Sequence, residues 1–217
     1  MGRGRGEWGW PRWVDRFGVA VGYTAALGTG TALLRVQPRP VHDAWLDWAS
    51  TNLANAPHHP IGALVVSALF TDGDLSGWLV LALVGLGGLG WRLGAWRTAT
   101  VVTAAHVIGT LISEAILAVR IATGAVPHAA VHIRDVGPSY VVVAALVAGL
   151  AYAPWAARLP CALGFVAVAP SLFGGLFQFE VPAVGHVCAI IVALAVGGLL
   201  AWRHRTARAT VGPTTDL

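Results

Sequence analysis

Two side chains in this sequence are placed to do chemistry together, a serine at the mouth of one apolar run and a histidine at the head of another. Ser139 lies in the turn-rich hexapeptide Asp135-Val136-Gly137-Pro138-Ser139-Tyr140, which leads straight into an apolar segment ending at Tyr152. A hydroxyl at that point sits near membrane depth and costs free energy unless it is hydrogen-bonded. His186 is the best partner the sequence offers. A serine beside an imidazole is a nucleophile beside its general base. Both residues also have plainer uses. A serine at a helix start caps a free backbone N–H, and a histidine beside small residues often makes a polar contact between helices.

A second group recurs at a spacing of four: His106, Thr110 and Glu114. That spacing puts them on one side of a helix. Ionisable groups within a membrane span face the bundle interior, so a structural hydrogen-bond cluster is expected. Support for a developing oxyanion and a metal site shared with His186 are the alternatives. Asp135 is expected to fix the turn before Ser139, or to pair with Arg134 or a loop histidine. His58, His59, His128 and His132 lack the close spacing of metal ligands. Gly85, Gly87, Gly88 and Gly90 follow no strand and read as close helix packing, not as a phosphate loop. Cys161 and Cys188 fall inside apolar runs and are expected to be buried and unpaired.

The elements that must position these residues are membrane helices. The chain has 217 residues, 56% of them hydrophobic and 11% charged, with a mean hydropathy of +0.69. Soluble domains carry about a quarter charged residues, so this is a membrane protein with a single domain. All basic side chains are arginine, which points to a GC-rich bacterial genome. They sit between apolar runs instead of on one face, which argues against a nucleic-acid partner. Residues 1–16 form a basic, tryptophan-bearing leader, and no cleavage pattern follows it. Spans are expected at 17–34, 75–91, 98–119, 139–155, 160–177 and 185–202, together a membrane domain over 17–202. Residues 203–217 read as a basic, then polar and disordered tail. Between the first two spans, Trp45, Leu46, Trp48 and Leu53 line one side of a short helix lying on the bilayer. Pro60 to Phe70 is too short to cross and dips into the membrane. Ten of the fourteen arginines fall on the side of the termini, so both termini are expected in the cytoplasm and Ser139 and His186 near the outer side.

With these elements in place, the sequence resembles the rhomboid family of intramembrane serine proteases. Gly137-Pro138-Ser139 is similar to the family's Gly-x-Ser at the start of span four. Gly185-His186 with Ala189 and Ala193 is similar to its histidine in a small-residue stripe of span six. The stretch Ser67-Ala68-Leu69-Phe70 to Gly73, and the turn Trp91-Arg92-Leu93-Gly94 to Arg97, are also similar. The resemblance implies an all-α bundle of six transmembrane helices. It implies Ser139 as nucleophile, His186 as general base and no cofactor. Transmembrane segments of other membrane proteins would be the substrates, entering sideways from the lipid bilayer of a bacterial plasma membrane. The sequence departs from the family at Tyr140, where a glycine is usual, and at Trp91, where the turn is usually acidic. It departs again at Gly77 and Leu81, where a histidine and an asparagine help bind the oxyanion. A missing oxyanion donor costs roughly 10²–10³ in rate, so the same scaffold without proteolysis, binding transmembrane helices, is the alternative function.

Overall fold

The computed structural model describes residues 11–210, and all regular elements among them are helical. These are α1 (Arg12–Arg35), α2 (Arg39–Ala49), α3 (Pro60–Ser67), α4 (Leu75–Leu93), α5 (Ala95–Ala122), α6 (Ser139–Tyr152), α7 (Trp155–Leu172) and α8 (Val181–Thr210), with short 3-10 turns at His128–His132 and Leu176–Gln178. Helices α1, α4, α5, α7 and α8 are long and apolar enough to cross a membrane. The shorter α6 is the centre of the bundle. Every residue from Tyr140 to Gly149 is buried, and the helix touches α4, α5, α7 and α8. A helix apolar on all sides has to be enclosed on all sides.

Several boundaries differ from the sequence reading, each for a local reason. Helix α1 starts at Arg12, not Phe17, because Pro11 presets the first turn and Asp15 favours the positive helix end. The part of the basic leader within residues 1–10 lies outside the described residues. Helix α7 starts at Trp155 directly after Pro154 and carries Pro160 and Pro170 inside it; it ends at Leu172, short of Phe177. Helix α8 starts at Val181, with Pro182 in its first turn, and continues to Thr210. The tail expected to be disordered is therefore helical as far as Thr210, and residues 211–217 lie outside the described residues.

The connection between α1 and α4 is held by its own polar groups. Helix α2 buries His42, Leu46 and Ala49 and leaves Trp45 and Trp48 exposed. The expected line of Trp45, Leu46, Trp48 and Leu53 therefore splits, since Leu53 lies beyond the helix end. Asn55 finishes α2 by donating its side-chain N–H groups to the carbonyls of Asp47 (2.7 Å), Trp48 (3.3 Å) and Ser50 (2.8 Å), acceptors that a helix C-terminus leaves orphaned. His59 stacks on Trp48 with its ring centroid 4.9 Å away. Asp74 caps α4, accepting from the backbone N–H groups of Ser76 and Gly77. The hydroxyl of Ser76 holds its carboxyl below the usual carboxylate range, and those two N–H groups act in the same direction. Cys161 and Cys188 are both free; Cys161 is buried and Cys188 only half-buried.

Candidate functional site

The hexapeptide before α6 is sewn to the connection between α1 and α4. Asp135 donates its backbone N–H to Ser50 Oγ at 2.9 Å and accepts the Thr51 backbone N–H at 3.1 Å. The Ala54 N–H reaches the Val131 carbonyl at 3.1 Å, and the Gly137 N–H reaches the Ser67 carbonyl at 3.0 Å. Arg134 grips Asp47 Oδ1 through Nε at 2.9 Å and a terminal nitrogen at 2.5 Å. Asp135 thus joins two loops instead of pairing with Arg134, and no loop histidine reaches it. Its carboxylate accepts the hydroxyls of Thr51 at 3.3 Å and Tyr140 at 3.2 Å. The Gly137 N–H, spent on Ser67, is not free for an oxyanion.

Ser139 is the first residue of α6, and its hydroxyl neither caps the helix nor hydrogen-bonds His186. His186 is buried on α8. Its Nδ1 donates to the Leu172 carbonyl at 2.9 Å, an acceptor left over at the end of α7, and its Nε2 is buried without a partner. The residue that does meet His186 is Tyr140. The two rings lie edge to face with centroids 4.9 Å apart, and the His106 ring stands 6.0 Å from Tyr140. The Tyr140 hydroxyl lies within reach of Asp135 and, at 3.3 Å, of the Val181 carbonyl.

Tyr140 is therefore the hub of the site, linking Asp135, His106 and His186. Sequence reasoning treated it only as a departure from a pattern. One signal was present: a tyrosine buried in a helix start needs a partner for its hydroxyl, and Asp135 stands five residues earlier.

His106, Thr110 and Glu114 share one face of α5 and are all buried, but they do not bond one another. His106 Nε2 donates to the Leu64 carbonyl at 2.8 Å. His106 Nδ1, Thr110 Oγ1 and both Glu114 oxygens have no hydrogen-bond partner. The expected cluster is an aligned face, not a network. Among the described residues, no three of His, Cys, Asp and Glu come together as metal ligands, so the proposed metal set of His106, Glu114 and His186 is not assembled. On α4, Gly77 and Leu81 bring no polar side chain, and the Gly77 N–H is taken by Asp74 at 3.1 Å.

Burial pushes the Asp135 carboxyl up to about 6, against the opposing hydrogen bonds from Tyr140 and Thr51. A carboxyl raised in the folded state contributes stability that is complete below its unfolded value and is lost as pH rises through the folded one. Stability is thus expected to fall by about 2–3 kcal/mol between roughly pH 4 and pH 6 through this group. Asp135→Asn keeps an acceptor for Thr51 and Tyr140 and should remove that part of the profile. Thermal unfolding of both proteins across the range checks this. Parallel curves would show that Asp135 does not carry the effect.

A family model described as rhomboid-like protein matches residues 18–206. No curated protein and no solved structure matches the chain. The match runs from within α1 to within α8, including the α6 start and the α8 histidine, and by it this integral membrane protein belongs to the rhomboid-like family.

Proposed function

We propose that this chain is a rhomboid-like protein that binds transmembrane segments of other membrane proteins without cutting them. The observation that carries the reading is the pairing at His186: the imidazole meets the Tyr140 ring, while Ser139 makes no hydrogen bond to it. A serine becomes a nucleophile only through contact with its base. Two further observations support the reading. The α4 positions Gly77 and Leu81 carry no donor side chains, and the Gly137 N–H is committed to Ser67.

In this reading α6 is a sixth traversal of a bacterial plasma membrane. Its fourteen residues reach only about 21 Å, but its start meets the sewn loops and its sides meet four other helices, not lipid. The arginine distribution supports a topology with both termini in the cytoplasm and Tyr140, His186 and Ser139 toward the outer side.

Proteolysis is the second reading, and one observation favours it. The Nδ1 bond to Leu172 fixes the tautomer that leaves the Nε2 lone pair free, as a general base requires. Labelling of the purified protein with a serine-directed fluorophosphonate separates the two. Wild type, Ser139→Ala and His186→Ala are expected to label equally poorly. Strong labelling of wild type, lost in both variants, would overturn the non-cutting reading and establish Ser139 as an activated nucleophile.

A further inference from the structure

The site at the start of α6 leaves unused a groove at the far end of that helix, between α1, α4 and α7. Its volume is about 400 Å³, and its lining includes Phe17 and Val21 of α1, Val84, Gly87 and Trp91 of α4, and Pro160 of α7. The lining is apolar, and no carboxylate belongs to it. Gly87 helps to make the space, since a Cβ there meets nothing within 4 Å. A polar ligand would lose its hydration in such a groove and find no partner in return. The body of the occupant is therefore apolar.

The charges at the mouth of the groove describe the rest of it. Each of the three helices places an arginine next to a lining residue: Arg16 beside Phe17, Arg92 beside Trp91 and Arg158 beside Ala157. Close contacts hold the three to one end. A Cβ on Gly90 would press on the Arg16 carbonyl, and one on Gly88 would stand 3.2 Å from Ala157 Cβ. Among the described residues none of the three arginines is in an ion pair, and Arg16 and Arg92 make no side-chain hydrogen bond. Arg158 spends its Nε on the Ala153 carbonyl at 3.0 Å. Trp13, Trp91 and Trp155 are exposed at the same end, which sets it at headgroup depth, where tryptophan concentrates. An apolar body with an anionic end at that depth describes an acidic phospholipid, and basic pockets between membrane helices hold such headgroups. On the topology proposed above this end is cytoplasmic, where the flank of a visiting transmembrane helix is itself basic. A helix would bring the wrong charge.

We propose that the groove binds one anionic phospholipid, with an acyl chain along Val21, Val84 and Gly87 and the phosphate held by Arg16, Arg92 and Arg158. The lipid would act as a filler between α1 and α7 over the glycines of α4. The site is independent of whether Ser139 reacts and of what the start of α6 binds.

The test is native mass spectrometry of the full chain in detergent, with phosphatidylglycerol or phosphatidylcholine of the same chains added at equal concentration. One phosphatidylglycerol should be retained, about tenfold or more tightly than phosphatidylcholine. Arg16→Gln and Arg92→Gln should each cut that preference about fivefold. Gly87→Leu puts a side chain into the groove and leaves every arginine in place; it should abolish retention while melting as the wild type does. Should it fail to fold, Val21→Trp narrows the same groove from a position that is already exposed, with the same loss expected. Glycerophosphoglycerol, the headgroup without chains, should not compete, which separates a lipid from a free phosphate ester. Equal retention of the two lipids, or retention of neither, overturns the proposal. So does a preference for phosphatidylglycerol that survives filling of the groove, which would leave a basic surface and no site.

Discussion

Gly185→Ala should lower the melting temperature by several degrees, although it adds a single methyl group. A Cβ at Gly185 would lie 2.1 Å from the Tyr140 hydroxyl oxygen and 2.3 Å from Cζ. A ring can often swing out of such a contact, but this one is hemmed in. Its hydroxyl is held near Asp135 and Val181, and its sides face His106 and His186. Helix α8 has little room to retreat toward α5 either, because the two already approach so closely that a Cβ at Gly109 of α5 would stand only 3.0 Å from the Gly185 carbonyl. Overpacking of this kind costs about 1–3 kcal/mol. A thermal melt of the variant in detergent measures it, and a double-mutant cycle with Tyr140→Leu assigns the cause. The double variant should lose less than the two single losses combined, since leucine removes the ring that the new methyl would meet and the methyl fills part of the space the ring leaves. Simple additivity, or a Gly185→Ala protein that melts like wild type, would mean that Gly185 is not there to make room for Tyr140.

Gly90→Ala is the second large effect, and its partner has less freedom still. The added Cβ would sit 2.2 Å from the main-chain oxygen of Arg16. A backbone carbonyl inside a helix cannot rotate away, so the first turns of α1 must shift. Faster amide hydrogen exchange over residues 12–20 is the expected signature, with a drop in melting temperature of a few degrees. Gly87 is the internal control, one turn earlier on the same helix. A Cβ there meets nothing within 4 Å, and alanine should gain up to about 1 kcal/mol in helix propensity. If both alanine variants behave alike, the close approach of α1 and α4 is not what Gly90 provides.

The contrast between those two glycines shows what was legible in the sequence. The reading of the α4 glycines as close helix packing fits Gly85, Gly88 and Gly90 but not Gly87, and nothing in the sequence separated Gly90, pressed against Arg16, from Gly87, which has open space beside it. Apolar runs and prolines located the helices, because burying a backbone in lipid or protein demands a continuous helix. The ends were less legible: α1, α7 and α8 each begin beside a proline (Pro11, Pro154 and Pro182), earlier than hydropathy alone suggested. The spacing of His106, Thr110 and Glu114 placed them on one face, as it must. It did not carry the distances between their polar atoms, and those leave the three unbonded. The clearest gap lies at Tyr140. Pattern matching set Ser139 against His186, whereas the turn of α6 brings the neighbouring side chain to the imidazole. A difference of one residue is about 100° around a helix, and no sequence pattern resolves which of two adjacent residues meets a third helix.

The seam between the α1–α4 connection and the hexapeptide also closes one approach to Tyr140 with polar bonds. From the aqueous side, reaching Tyr140 means parting the bonds at Ser50, Thr51, Ala54, Ser67 and Asp47 together, because each holds the same two loops in register. On another side α6 is covered by α7. That helix buries only Cys161 and Leu172 fully, and Pro160 and Pro170 each delete a backbone hydrogen bond from it. One side is riveted by bonds that must part together, and the other is closed by a helix whose own backbone ladder is twice interrupted.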